Sequence, residues 1–229
     1  MTDRPIIFSA SMVKALLEGR KSQTRRILKP QPVSLPGRVT APAQDDDGIW
    51  GQTITEWRWS DSLGNYEPER ETFQPLRLRY AIGDRLWVRE THSLHHAHGH
   101  GRSDGLRWGP WGGLPTTVSA DGTQIAYYRE GFDRCGHGRW RSPIHMPRWA
   151  SRLTLTVTDV RVERLQEISE ADAFDEGVTR ADVPLATWRA SYRTIWNSLH
   201  GPHAWADNPW VAAISFTVAR RTIEAGGDA

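Results

Sequence analysis

The sequence predicts an α+β fold: a small mixed β-barrel with flanking helices, interrupted by two long irregular stretches. Three observations predict it. Strand-like runs dominate the chain, and no regular crossover helices lie between them as a doubly wound parallel sheet would require. The helical signals are few, short and closed by glycines. Residues 30 to 80 and 92 to 123 are polar or Gly/His/Trp-rich and lack sustained periodicity.

Taken in order, Ile6 to Phe8 reads as a short strand entering a helix. From Ser9 to Glu18, Met12, Ala15 and Leu16 fall at helical spacing, with Ser9 or Ser11 as N-cap and Gly19 as terminator. Arg25 to Leu28 is the next strand, and Lys29-Pro30-Gln31-Pro32 breaks it. Trp57 and Trp59 suggest a hairpin inside the first irregular stretch. After the Gly83-Asp84 turn, Arg85 to Glu90 alternates like a half-buried strand. Residues 92 to 123 read as a loop, and Gln124 to Arg129 as a strand. Ser151 to Leu165 is one long strand or a hairpin, whose apolar parity slips near Thr158-Asp159 and favours a bulge. Ser169-Glu170-Ala171-Asp172 opens a short helix that Gly177 closes, leaving Glu176 at its exit. Pro184 opens a second helix through about Leu199, with Trp188, Tyr192, Ile195 and Trp196 on one stripe. Trp210 to Val218 is the last strand, and the tail from Glu224 is expected to fray.

At 229 residues the chain is long enough to bury a sizeable core, and one domain over 1–223 is expected. Its 29 basic and 27 acidic residues leave a net charge of only +2. No global field draws it to a polyanion, so nucleic-acid affinity must come from a local patch. The single cysteine, Cys135, excludes an internal disulfide framework and fits a reducing compartment. Met1 to Pro5 lacks a basic-then-apolar leader, and no apolar run is long enough to span a bilayer. The cytoplasm is the expected address, without a membrane partner. Twelve tryptophans are about four times ordinary usage, which suits stacking on unpaired bases as well as core filling.

Gly-x-Ser-x-Gly, Walker, His-Glu-x-x-His and Cys-x-x-Cys patterns are absent, which removes weight from the common hydrolase and nucleotide-triphosphate classes. The run from His92 to His100 has imidazoles without the fixed spacing of a folded metal site, and neither metal nor cofactor is expected. Cys135 and His137 sit in a glycine-rich loop that does not position them as a thiol and base. The stretch with most chemistry is Gly19-Arg20-Lys21-Ser22-Gln23-Thr24-Arg25-Arg26, at the exit of the first helix. A threonine hydroxyl attacks only after a base takes its proton, and a neutral lysine can be that base. Burial and neighbouring cations such as Arg20, Arg25 and Arg26 lower a lysine's pKa, while a carboxylate steadies the ammonium formed by proton transfer. In an extended strand Lys21 and Thr24 would face opposite sides, so they can converge only with Lys21 in the turn.

Gly19-x-Lys21-x-x-Thr24-x-Arg26 resembles the signature of the ASCH domain, whose general form is Gly-x-Lys-x-x-Glu-x-Arg. That resemblance implies a PUA-like β-barrel. Thr24 replaces the commonest glutamate, as in the small bacterial 4-acetylcytidine amidohydrolases of the superfamily. It implies a triad of Lys21, Thr24 and, by its position late in the short helix, Glu176, with Asp172 and Asp175 as competitors. The similarity covers about residues 4 to 29, 82 to 91 and 145 to 217. Those segments, with Gly83 to Thr91, His145 to Arg152 and Asn208 to Val211, also look like the longer tryptophan-rich ASCH proteins of bacteriophages and prophages. Segments at about 30–80 and 92–140 are then insertions that the small enzymes lack.

The resemblance leads to two readings. In one, the chain removes an acyl group from the exocyclic amine of cytidine, free or in RNA. Arg26 or a backbone amide would steady the oxyanion, Arg20, Arg25 and Arg89 would bind substrate, and Trp87, Trp149 or Trp210 would stack on the base. In the other, a non-catalytic RNA-binding module uses Arg20, Lys21, Arg25, Arg26, Arg89, Arg148 and Arg152 as phosphate or base contacts. A ribonuclease is a third possibility with less support.

Overall fold

The computed structural model describes residues 2–32, 39–59, 66–97, 100–101, 107–108, 111–135, 139–179 and 187–226. In chain order its elements are β1 (Asp3–Ile7), α1 (Ala10–Leu17), β2 (Gln23–Ile27), β3 (Ala43–Gln44), β4 (Trp50–Trp59), β5 (Tyr66–Pro75), β6 (Arg85–Arg89), β7 (His92–His96), β8 (His100–Gly101), β9 (Arg107–Trp108), β10 (Thr116–Val118), β11 (Gln124–Tyr128), β12 (Thr154–Arg164), α2 (Glu170–Asp175), α3 (Trp188–His200) and β13 (Trp210–Ala219). Strands outnumber helices and gather in separate sheets, an α+β architecture. No helix among the described residues is long and apolar enough to cross a membrane.

The central sheet has five strands in the order β1-β6-β12-β13-β2. Strand β1 runs parallel to β6, whereas β12 is antiparallel to both β6 and β13, and β13 is antiparallel to β2. The expected closed barrel is not formed among the described residues: β1 and β2 stand at opposite edges with no ladder between them. Helix α1 connects those two strands and buries Val13 and Leu16 in the same core as Ile6 and Ile214. A helix, not a ladder, therefore bridges the two edges. The register shift between Val157 and Asp159 places a bulge in β12 where the apolar parity slips.

Period-2 alternation gives the sheet two apolar faces. Ala212, Ile214 and Phe216 of β13 join Leu86, Val88 and Leu155 over α1, while Val211 joins Leu165, Tyr192 and Trp196 beneath α2 and α3. Each fully buried aliphatic such as Leu86 or Leu155 stabilises the fold by about 1.5–3 kcal/mol. Asp84 caps the strand entry by accepting from the Thr2 and Ala81 amides.

The first irregular stretch holds the hairpin β4–β5, paired from Gly51↔Pro75 to Trp59↔Tyr66. The second differs from expectation. Residues 92 to 123 are not one loop, because His92–His96 is strand β7, paired to β11 from His92↔Tyr128 to His96↔Gln124, with β10 on the far side. Cross-strand pairing to the buried run Ile125 to Tyr128 overrides a composition that reads as loop. Among the described residues no three His, Cys, Asp or Glu side chains gather to hold a metal. His137 lies outside the described residues, and Cys135 is exposed. Helix α3 starts at Trp188, where the Thr187 hydroxyl accepts from the Ala190 amide, and Pro184 is outside the described residues. Glu224–Gly226 forms a 3₁₀ turn whose Ala225 amide bonds to Thr222, and the rest of the tail lies outside the described residues.

Candidate functional site

The 19–26 stretch is locked in place before its side chains act. Ser9 caps α1, and Gly19 at φ +72° ends it in the left-handed region, where glycine is the default. The Arg20 and Lys21 amides both bond to the Ala15 carbonyl, the Ser22 amide bonds to the Asp175 carbonyl, and the Ser22 carbonyl accepts from Phe216. Lys21 thus sits in the turn, before β2, and forms an isolated antiparallel bridge with Glu176. On the other side of that bridge, the Ser169 hydroxyl caps α2, Glu176 is its C-cap and Gly177 leaves at φ +80°.

A Cβ on Gly177 would come within 2.7 Å of Ala15 Cβ and 2.9 Å of Lys21 Cβ. Gly177→Ala combines that overlap with a positive φ, so it should cost about 2–4 kcal/mol. Urea unfolding checks it, and a midpoint unchanged from wild type would show that the close approach is not needed.

Bridge geometry brings the Lys21 and Glu176 side chains together. Lys21 Nζ donates to Glu176 Oε2 at 2.7 Å and to the Glu176 carbonyl at 2.9 Å, with both residues buried. Burial pushes the Lys21 amine below its ordinary range; the Glu176 carboxylate pulls the other way, and Arg26 and Arg25 add to the depression. The second Glu176 oxygen lies 3.4 Å from both the Arg25 guanidinium and the Tyr192 hydroxyl. Burial, reinforced by Glu176, raises the Tyr192 pKa well above the usual phenol range, so it stays protonated and donates.

Thr24 lies three residues beyond Lys21 on β2, opposite Ile214. It is 1% exposed, and its hydroxyl has no hydrogen-bond partner, so Lys21 bonds Glu176 while Thr24 waits unpaired. Strand alternation puts Thr24 on the same face as Arg26 and opposite to Arg25. Near that face the Lys21 amine and the Arg26 guanidinium approach the Phe8 ring, at 5.6 and 5.3 Å from its centroid.

The other expected substrate contacts divide. Arg25, which the sequence suggests as a substrate contact, is 2% exposed and faces inward toward α2. It donates to Glu163 at 2.6 Å and to the Gln23 side chain at 2.6 Å, and lies 3.4 Å from Asp172. Alternation on β2 turns it toward those carboxylates, making it a positioning residue for Glu176. Asp172 is accordingly engaged elsewhere, accepting from Arg161 and Ser169, and is no rival for Lys21. Arg20 donates to Glu18 and to the Gly177 carbonyl, and with Glu176 and Tyr192 it borders a cleft of about 350 Å³.

Arg26 faces a second cleft, of about 480 Å³, whose wall also includes Phe8, Arg79, Tyr80, Arg89 and His200. Among the described residues, neither this cleft nor the adjoining one shared by Arg26, Lys29, Arg77 and Arg79 is lined by a carboxylate. His200 closes α3 against Trp196, and its pKa is lowered by burial, then by Arg26 and Lys29. Trp87 is held against Arg89, at 5.2 Å from ring centroid to guanidinium carbon, and does not itself line the cleft. Trp149 packs with Met146 and Tyr128 in the small core of the β7–β10–β11 sheet, away from Lys21. Arg148 pairs with Asp3, and Arg152 pairs bidentately with Glu90 at 2.8 Å through each nitrogen. Of the arginines named for RNA contact, these two are thus committed to carboxylates.

Sequence reasoning missed Phe8, Arg79, Tyr80, Tyr192 and His200. The signal that could have found Arg79 and Tyr80 was the alternating Leu76-Arg77-Leu78-Arg79-Tyr80 at the end of the first irregular stretch. Phe8, Tyr192 and His200 carried only core-like or helix-end signals. No family model, no curated protein and no solved structure matches this chain.

Proposed function

We propose that the chain is a PUA-like protein of the ASCH type that hydrolyses an acyl group from the exocyclic amine of cytidine, with Lys21 as base, Thr24 as nucleophile and Glu176 as the group that orients the lysine. The observation that carries it is the buried Lys21–Glu176 pair, 2.7 Å apart, three residues before a buried threonine hydroxyl that has no hydrogen-bond partner. Thr24 Oγ adds to the acyl carbon as its proton passes to neutral Lys21 Nζ. The tetrahedral adduct collapses to a threonyl ester, and the ammonium returns that proton to the departing cytidine amine. Water, deprotonated by Lys21, then cleaves the ester; Lys21 returns that proton to the leaving Thr24 oxygen, so acetate departs and the Thr24 hydroxyl and neutral lysine are restored. Glu176 holds the transient ammonium, and Arg26 on the same strand face is the donor for the oxyanion. Thr24 is 1% exposed, so turnover requires its cover, toward Phe8 and Arg26, to move aside.

Thr24→Val separates chemistry from packing. A methyl in place of an unpartnered buried hydroxyl should stabilise the fold by about 1 kcal/mol. The same change should abolish conversion of 4-acetylcytidine to cytidine. Retained turnover would exclude Thr24 as nucleophile.

A second reading has its own observation. Lys21 and Thr24 line neither cleft, while the larger cleft is ringed by Arg26, Arg79 and Arg89 with no carboxylate among the described residues. A binding module for nucleic acid, without turnover, uses that cleft alone, and RNA binding indifferent to Thr24→Val would favour it.

A further inference from the structure

The insertion over residues 92–140 carries a second basic cleft, of about 530 Å³, built on β7 and the segment that returns toward the central sheet. Its wall includes His95, Arg139, Trp140, Arg141 and His145 and, among the described residues, no carboxylate. The returning segment is shared: Pro143 lines the Arg26 cleft, while Arg141, Ser142 and His145 line this one. Arg89 ties the two together by donating to the Ile144 carbonyl between them. Backbone pairing fixes the junction further, because the His92 and Arg141 amides and carbonyls bond reciprocally.

Cations of both clefts are felt at one buried point. The His92 imidazole, hydrogen-bonded to the Glu90 carbonyl through Nδ1, has its pKa lowered first by burial, against the raising effect of that bond, then by Arg141, Arg89 and His145. Two clefts of one sign that share a wall fit a ligand of repeating negative charge better than two separate ones. Phe8 and Tyr80 back the first cleft from the core, and the half-buried Trp140 stands in the second, so the ligand offers a flat group there along with its charges. A phosphodiester chain with unpaired bases has that alternation, and an acidic peptide lacks the flat groups.

We propose that the two clefts form one track for a single-stranded polynucleotide, which crosses the Pro143–His145 turn and places successive phosphates at Arg26, Arg79 and Arg89 and then at Arg141 and Arg139. The proposal rests on reading the Arg26 cleft as the nucleotide-binding face, and it makes the insertion a reader of strand length. The substrate is then a base within a chain, in preference to a free nucleoside.

The test is fluorescence anisotropy of the full chain with labelled single strands of about 12 nucleotides, RNA and DNA of one unacetylated sequence, across a salt series. Arg139→Gln/Arg141→Gln changes two exposed side chains whose loss leaves the packing alone. It should weaken strand binding at least about tenfold and reduce the slope of log affinity against log salt by about 0.7 to 1 per arginine. Cytidine monophosphate, which reaches only the first cleft, should bind the double variant as it binds wild type. Arg70→Gln, an exposed arginine on the other insertion, controls for net charge and should leave the slope unchanged. An unaltered slope in the double variant, equal affinity for the mononucleotide and the strand, or full displacement of the strand by polyglutamate would each overturn the track. The ratio of RNA to DNA affinity identifies which strand is its source. No acetyl group is involved, so strand binding without hydrolysis would sink the amidohydrolase and leave the track, whereas hydrolysis without strand dependence would do the reverse.

Discussion

Lys21→Met is expected to lower hydrolysis of 4-acetylcytidine by roughly 10²- to 10⁴-fold, the usual range for losing a positioned base. Methionine keeps the length and apolar stem of the lysine, so the turn at Gly19 and the bridge to Glu176 remain. Glu176 is not stranded, because Arg25 and Tyr192 still lie 3.4 Å from its other oxygen. In wild type the rate should rise with pH as Lys21 loses its proton and then level off. The rising limb should lie below the ordinary lysine range, since burial favours the neutral amine. Glu176→Gln removes the group that raises the lysine's pKa, so it should carry the limb to lower pH while reducing the plateau. A limb that stays at the same pH in Glu176→Gln would show that the titrating group is not Lys21, which the pH dependence of kcat/KM measures directly.

Arg25→Met should be the most damaging single change to stability, at about 3–5 kcal/mol. The guanidinium serves three carboxylates, Glu163 at 2.6 Å and Asp172 and Glu176 at 3.4 Å, from a side chain with no solvent exposure. Removing it leaves those charges to repel one another under the α2 helix. For a chain of this size that corresponds to a melting temperature lower by about 6–20 °C, readable by calorimetry. The pH dependence has a definite sign. Burial raises the Asp172 pKa, but hydrogen bonds from Ser169, Gln23 and Arg161, with the Arg25 charge, outweigh it and bring the pKa to about 2. A carboxylate depressed in the folded state stabilises fully above its unfolded value, near 3.8, and loses that contribution as the pH falls through about 2. Wild type should lose stability over that window. In Arg25→Met the Asp172 pKa lies higher and the acid loss is smaller, so the two stability curves converge as the pH falls. Parallel curves would show that Arg25 is not what holds the acidic cluster.

The sequence could be read where a local rule decided the backbone. Ser9 and Gly19 bound α1, Ser169 and Gly177 bound α2, and the parity slip in Leu153 to Val162 placed the β12 bulge, because caps and period-2 faces are properties of neighbouring residues. Requiring Lys21 to sit in a turn followed from alternation alone. Reading failed where a distant partner decided. The His92–His96 run became a strand only because Gln124–Tyr128 lies beside it. Arg25 and Arg26 are adjacent in a row of similar cations, and only the β13 pairing assigns one to the carboxylates and the other to the cleft. An open sheet in place of the barrel reflects the same limit, since closure depends on whether two edges 20 residues apart in sequence meet across α1 or are held apart by it.

The pairing of Lys21 with Glu176 joins positions 155 residues apart. A ribosome must therefore pass residue 176 before the lysine has its carboxylate, and β13, which flanks Thr24, comes later still. Until then the emerging segment holds an ordinary solvated lysine and an inert threonine. The buried pair is therefore made by tertiary structure, between segments that no local stretch of chain brings together.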